Sequence, residues 1–167
     1  MRRSRSGVLP SLLRRGLDRL DRRTGRVGRR LPFPARWRAS YAPERDGLPD
    51  PGEVCWAWVP YEDDPSQGKD RPVLIIARRE AGAGAERLLA LMLTSKDHDR
   101  DAADEARWGR YWMDVGSGGW DRERRPSEVR LDRLIELTAT GVRREGTALD
   151  KGMFERVIAE ARRFHDL

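Results

Sequence analysis

The chain has 167 residues, which is room for one ordinary domain with a tail; hydrophobic residues make up 38% of it and charged residues 37%. No apolar run approaches the about 20 residues that a membrane-spanning helix needs, so we expect a protein that does not enter membranes and is, by default, cytoplasmic. The single cysteine, Cys55, excludes an internal disulfide, and together with only two histidines it offers no ligand spacing for a metal. We expect Cys55 to be a small core or interface residue.

Charge is distributed unevenly along the chain. Residues 1–45 carry fourteen arginines, no lysine and three acidic residues, whereas residues 46–167 carry 20 basic and 25 acidic residues. This split predicts a basic, flexible N-terminal arm over residues 1–48 and an acidic folded domain over residues 49–167.

The predicted arm permits more than one interpretation. Apolar residues recur at helical spacing between Val8 and Leu20 with arginines on the other face, which is typical of an amphipathic helix that touches RNA or an anionic membrane. Alternatively, the arm orders only when it meets a partner, or it is translated sequence upstream of the true start. Arg, Gly and Pro dominate residues 24–51, which predicts a linker before the domain.

Short apolar segments separated by turn residues predict a mainly β domain. The predicted strands are residues 54–59, 73–77, 88–93, 111–115, 127–131 and 134–138. An acidic loop is predicted at residues 97–105, and an apolar stripe at helical spacing predicts one helix, Asp150–Phe164. Without a crossover helix between the strands, this order favours a small antiparallel barrel capped by a terminal helix. The tryptophan pair on the first strand favours association through a sheet face.

Polar residues stand at one end of each of the two longest apolar runs. Arg71 leads into the run at residues 73–77, and Thr94 and Ser95 leave the run at residues 88–93. If these strands pair as antiparallel neighbours, the start of one lies beside the end of the other. A guanidinium and two hydroxyls would then meet at one rim of the sheet, in a place suited to hold a phosphate.

The sequence gives little support for a magnesium site, a serine hydrolase site or a phosphate-binding loop. The acid pairs Asp63-Asp64 and Asp97/Asp99 stand in predicted loops, where we interpret them as solvated surface rather than a magnesium site. There is no nucleophile elbow for serine hydrolysis. Residues 116–119 (GSGG) predict a turn, not a phosphate loop, because no helix with a lysine follows.

Four blocks of sequence occur in a characteristic order: Gly52–Trp56 (GEVCW), Gly68–Ile76 (GKDRPVLII), Leu93–Ser95 (LTS) and Ser127–Leu134 (SEVRLDRL). In order and approximate spacing they resemble the PemK/MazF toxins of type II toxin–antitoxin systems, over residues 52–165. The resemblance implies a small SH3-like barrel that forms a homodimer and cleaves single-stranded RNA without a metal or other cofactor. It also implies a cognate antitoxin protein that neutralises the toxin by occupying its RNA groove.

The resemblance assigns roles to particular residues. Asp132 matches the proposed base and Arg130 the proposed acid or charge stabiliser, and strand alternation places them side by side, about 6.5–7 Å apart. Because arginine keeps its proton at any ordinary pH, we expect Arg130 to stabilise charge rather than to act as a literal acid. Arg71, as a bidentate phosphate ligand, and Thr94, as a hydroxyl donor, complete the expected catalytic set.

Three further residues are expected to bind the substrate: Ser95, Lys69 and Trp120. Trp120 would stack on a base, although a core position is the alternative for this residue. His98 is of a type suited to proton transfer, but it matches no position of the family pattern, and we assign it no role.

A second hypothesis is a non-catalytic barrel that binds protein or nucleic acid, either an inactive relative or a gyrase-type inhibitor. The acidic loop at residues 61–70, the acidic insert at residues 97–107 and the net negative charge of the domain favour it. The presence of the complete set of Arg71, Thr94, Arg130 and Asp132 favours the ribonuclease.

Overall fold

The computed structural model describes residues 36–82, 84–98, 102–143 and 147–167. Residues 1–35, most of the predicted arm, lie outside the described residues. The described elements, in chain order, are β1 (Val54–Pro60), β2 (Gly68–Ala81), β3 (Ala85–Thr94), α1 (Ala102–Arg107), β4 (Trp112–Gly116), β5 (Ser127–Thr138), a 3-10 turn (Ala139–Gly141), β6 (Val142–Arg143) and α2 (Lys151–Ala161).

The six strands form one antiparallel sheet in the order β4-β5-β3-β2-β1-β6. Within the described residues, β4 and β6 are its two edges and are not hydrogen bonded to each other, so the sheet is open rather than closed by a continuous ladder. The mainly β class and the C-terminal helix predicted from the sequence are confirmed. No helix in the described part of the chain is long and apolar enough to cross a membrane.

The central strands are apolar on both faces because both faces of the sheet are covered. Residues 73–77 of β2 and 88–94 of β3 are all buried. Side chains such as Leu74 and Ile76 belong to a cluster that also contains the buried face of α2, whereas Val73 and Ile75 belong to a second cluster on the opposite face. Cys55 is buried in this second cluster, as expected of a small core residue.

Strand β5 corrects one prediction. The two strands predicted at residues 127–131 and 134–138 form one strand, Ser127–Thr138. Its pairing with β3 shifts register between Leu93↔Val129 and Leu91↔Leu134, and the polar residues that suggested a break lie at this shift. Because such irregularities bend a strand, Arg130 and Asp132 lie where β5 turns away from the regular ladder.

The helices differ in how well the sequence predicted them. Helix α1 overlaps the region predicted as an acidic loop. It has six residues and none of them is buried, so the sequence shows no apolar stripe that would predict a helix there. Helix α2 was predicted, and it begins where the Asp150 carboxylate accepts a hydrogen bond from Met153 N at 3.0 Å. Its buried side chains are Phe154, Val157, Ile158 and Ala161.

The residues just before β1 pack against the sheet. Ser40 N donates to Ile76 O at 3.0 Å, and the Tyr41 hydroxyl donates to Leu149 O at 2.8 Å. Gly52 has φ +103°, and a Cβ there would lie 2.7 Å from the Tyr41 ring, so this position requires glycine. Residues 36–49 therefore contact the domain, while the division into an arm and a domain at residue 48 stays a prediction.

Candidate active site

A cleft of about 870 Å³ opens beside the connection between β1 and β2, the start of β2 and the end of β3, with parts of β4 and β5 as its other walls. Among the residues that the structure describes, seven cationic side chains and five carboxylates line the cleft, which gives this lining an excess of positive charge although the domain sequence is acidic. The cations are Lys69, Arg71, Lys96, Arg110, Arg125, Arg130 and Arg133, and the carboxylates are Glu62, Asp63, Asp70, Glu105 and Asp121. A cationic cleft suits a polyanionic ligand.

The structure brings six of the seven predicted site residues to this cleft: Lys69, Arg71, Thr94, Ser95, Trp120 and Arg130. The predicted antiparallel pairing of β2 with β3 is confirmed, and Val73 pairs with Met92. Arg71 and Thr94 each lie two residues beyond this pair, so they share one end of the two strands. Asp132 does not line the cleft but contacts Arg130.

Arg71 is the cleft arginine with most donor capacity left for a ligand. It is half-buried in β2, where its backbone pairs with that of Ala57, and its side chain has no hydrogen bond or ion pair with any residue in the described ranges. Thr94 is buried, and its Oγ1 accepts a hydrogen bond from Lys96 N at 3.2 Å, which shapes the turn after β3. Ser95, Lys69 and Lys96 are exposed around this pair. These groups can hold a phosphate without first giving up an internal ion pair.

Arg130 differs from Arg71 because two carboxylates already bind it. Its Nη1 and Nη2 donate to the two oxygens of Glu62 at 2.8 and 3.0 Å, and its Nε and Nη2 donate to Asp132 at 2.8 to 3.2 Å. Burial opposes the charged form, but the hydrogen bonds to Asp132 and Glu62 outweigh it and raise the pKa of Arg130. The side chain is 8% exposed and remains charged, so it cannot serve as a literal proton donor.

Both carboxylate oxygens of Asp132 are likewise engaged in hydrogen bonds. Its Oδ1 accepts a hydrogen bond from Tyr111 N at 2.7 Å, which fixes the chain just before β4, and both oxygens accept from Arg130. The sequence prediction that Arg130 and Asp132 lie side by side is therefore confirmed. The lone pairs that a general base needs are engaged in these contacts.

The Trp120 ring lies in the larger apolar cluster and is 5% exposed. Its Nε1–H donates to Ser127 Oγ at 3.1 Å, and a Cβ at Gly118 would lie 2.0 Å from the ring. The packing favours the core interpretation of this residue, since stacking on a base would require the ring to move.

One pair in the cleft wall was missed from the sequence. Both oxygens of Glu128 bind His98: Oε1 accepts from its backbone N–H at 3.0 Å, and Oε2 lies 2.8 Å from its ring Nδ1. The His98 ring stacks on Trp112, with centroids 4.1 Å apart and planes within 1°. Strand alternation, which places Arg130 and Asp132 on one face of β5, also places Glu128 there. This alternation was the only feature of the sequence that could have indicated Glu128 as a site residue.

In the described part of the chain, no group of three or more His, Cys, Asp and Glu side chains is placed to hold a metal ion. Among curated proteins, none matches this chain. Residues 50–165 match the family described as PemK-like, MazF-like toxin of type II toxin–antitoxin systems, and the chain therefore belongs to that family.

Proposed function

We propose that this toxin is a metal-independent endoribonuclease that cuts single-stranded RNA at selected sequences. The 2′-hydroxyl attacks the adjacent phosphorus, and the products carry a 2′,3′-cyclic phosphate and a 5′-hydroxyl. The observation that carries the proposal is the pair of Arg71 and Thr94 at one end of β2 and β3, in a cleft with an excess of positive charge.

Arg71 is the proposed phosphate ligand. Its planar guanidinium can bind two phosphate oxygens at once, and Thr94, Ser95 and Lys69 line the same cleft. Negative charge grows on the phosphate oxygens as the 2′-oxygen attacks, and each well-placed donor to such a site contributes roughly 10²–10³ in rate.

Arg130 is the proposed second cation, and Asp132 holds it in place. Glu62 takes one N–H of each Nη atom of Arg130, so an RNA phosphate binds both Nη atoms at once only by replacing Glu62. The resemblance gives Asp132 the role of base, and this role stays a prediction.

The proposed partners follow from the same cleft. A cognate antitoxin with an acidic segment can neutralise the cationic excess and exclude RNA, and we propose that it binds here. A homodimer is proposed as well: Trp58 on β1 is 57% exposed, which favours association through this part of the sheet. We place the activity in the cytoplasm, where the RNA substrate is found.

One observation favours the alternative, a non-catalytic barrel that binds protein or nucleic acid. Arg130 is bound to both Asp132 and Glu62, as in a structural ion-pair network, and is not held open for a substrate. An inactive relative or a gyrase-type inhibitor could retain this network for stability alone.

The test is incubation of the purified protein with a long single-stranded RNA in EDTA, beside Arg71→Ala and the control Arg156→Ala. Arg156 is exposed on α2, so its loss removes the same charge outside the cleft. Discrete fragments with cyclic-phosphate ends from the wild type and Arg156→Ala, but not from Arg71→Ala, support the proposal. If the folded wild type leaves the RNA intact, the alternative is favoured, namely a non-catalytic barrel that binds protein or nucleic acid.

A further inference from the structure

The pair formed by His98 and Glu128 is built into the wall of the cleft. Glu128 lies on β5 directly opposite Thr94 of β3, so the strand pairing ties the pair to the proposed phosphate site. Both Glu128 and His98 are buried, and His98 lines the cleft. His98 and Thr94 therefore line the same cleft, and Glu128 joins them through the strand pairing.

The hydrogen bonds define which ring nitrogen of His98 can accept a proton. An ionised carboxylate only accepts hydrogen bonds, so the ring proton of neutral His98 lies on Nδ1, facing Glu128. This leaves Nε2 as the unprotonated nitrogen, and no hydrogen bond joins it to any residue that the structure describes. The parallel Trp112 ring fixes the plane of the imidazole.

His98 and Asp132 differ in their capacity to take up a proton. The Asp132 oxygens accept from Tyr111 N and from the Arg130 guanidinium, whereas neutral His98 with its proton on Nδ1 keeps Nε2 as an acceptor. A histidine whose second nitrogen is held by a carboxylate is the usual arrangement of a general base.

We propose that His98 is the general base of the ribonuclease and that Glu128 is its positioning residue, an inference that rests on the proposed RNA cleavage. His98 Nε2 takes the proton of the 2′-hydroxyl as the 2′-oxygen forms its bond to phosphorus. The bond from phosphorus to the 5′-oxygen breaks, and that oxygen takes a proton from water. Protonated His98 then returns its proton to solvent, so the reaction consumes no co-reactant.

Two substitutions of His98 test the roles of its two ring nitrogens separately. His98→Asn places an amide near Nδ1 and can still bind Glu128, whereas His98→Gln places its amide nearer Nε2; neither amide can take up a proton. We expect both variants to lose about 10²–10⁴-fold in kcat with KM nearly unchanged, because proton transfer is lost and RNA binding is not. Imidazole added to His98→Gly should restore cleavage in proportion to its concentration.

Glu128→Gln tests the positioning role, and it also serves if the His98 variants do not fold. The amide oxygen can still accept from Nδ1–H, but the amide nitrogen then faces the backbone N–H of His98, and the negative charge beside the ring is lost. The ring is held less firmly, so kcat should fall and KM should not. Thermal unfolding of each variant shows that it is folded.

The possible failures are distinguishable. Wild-type kcat in folded His98→Asn or His98→Gln, while Arg71→Ala is inactive, overturns the role of His98 and leaves the ribonuclease standing. Rescue of His98→Gly by imidazole supports the role. A wild type that leaves RNA intact overturns both proposals.

Discussion

Glu62 binds Arg130 through both carboxylate oxygens, at 2.8 and 3.0 Å, although the two residues lie 68 positions apart in the chain. Arg133 lies beside the pair, with its Nη2 donating to Pro60 O at 2.7 Å, so the start of the β1–β2 connection is tied to β5 at two points. The carboxylate of Glu62 thus occupies the donors that an RNA phosphate needs at Arg130. Glu62 and RNA compete for one guanidinium.

Glu62→Gln should therefore strengthen RNA binding. The amide is neutral and holds Arg130 less firmly, so RNA replaces it more easily. We expect KM to fall by about 2–3-fold, the size of effect expected of a half-exposed ion pair. Cleavage kinetics in the wild-type background report KM, and fluorescence anisotropy in an inactive Arg71→Ala background reports RNA binding without cleavage.

Asp63→Asn is the matched control for this substitution. It removes one carboxylate from the same connection and the same cleft, but Asp63 has no hydrogen bond with Arg130. An equal gain in both variants would show that net charge, and not competition for Arg130, controls affinity.

The same pair predicts a dependence of stability on pH. The hydrogen bond from Arg130 lowers the pKa of Glu62 below its ordinary value of 4.5. The stabilisation is therefore present above about pH 4.5 and is lost as pH falls through the lowered pKa of the folded protein. Because the Glu62 side chain is 46% exposed, we expect only about 0.5 kcal/mol.

Urea unfolding of the wild type and Glu62→Gln checks this expectation. The two should differ at pH 7 and converge as the pH falls below the lowered pKa of Glu62, where this side chain is protonated in both the folded and the unfolded wild type. A difference that persists unchanged at low pH would assign the effect to packing instead of charge.

What the sequence could predict depended on local periodicity. Arg71 and Thr94 flank two apolar runs, so antiparallel pairing was enough to bring them to one end of the sheet, and alternation was enough to pair Arg130 with Asp132. The contact of Glu62 with Arg130 joins a loop to a bend in β5, and no periodic pattern specifies it. His98 was noted as a residue suited to proton transfer, but its contacts were missed for a related reason: its partners Glu128 and Trp112 lie on two strands beyond the loop that carries it.

Arg71→Lys tests whether the phosphate ligand acts through its geometry or through its charge. A lysine retains the charge but not the planar fork that binds two oxygens at once. We expect kcat/KM to fall by about 10²-fold in Arg71→Lys and further in Arg71→Ala, measured on a short RNA with one cleavage site. Full activity in Arg71→Lys would reduce the role of Arg71 to a point charge.

An ion pair between Asp50 and Arg78 holds the segment before β1, residues 44–50, against β2. Because the carboxylate is buried, removing its cation is costly. Asp50 is buried, its Oδ1 accepts from Arg78 Nη1 at 2.8 Å, and its Oδ2 accepts from Glu44 N at 3.1 Å. Arg78→Met leaves the carboxylate without its cation, and we expect a loss of about 2 kcal/mol in the free energy of unfolding at pH 7. Arg87→Met on β3 is the control, with an expected change within about 0.5 kcal/mol.

The pH dependence of that loss identifies its cause. Burial raises the pKa of Asp50 above its ordinary value of 3.8, so the folded state takes up a proton at a higher pH than the unfolded chain does. The unpaired charge therefore destabilises Arg78→Met above the raised pKa, and protonation relieves the penalty as pH falls through it. The loss should be smaller near pH 4 than at pH 7, and the double variant Asp50→Asn/Arg78→Met should be more stable at pH 7 than Arg78→Met alone. Equal losses at both pH values would mean that Arg78 stabilises this segment by packing and not by neutralising Asp50.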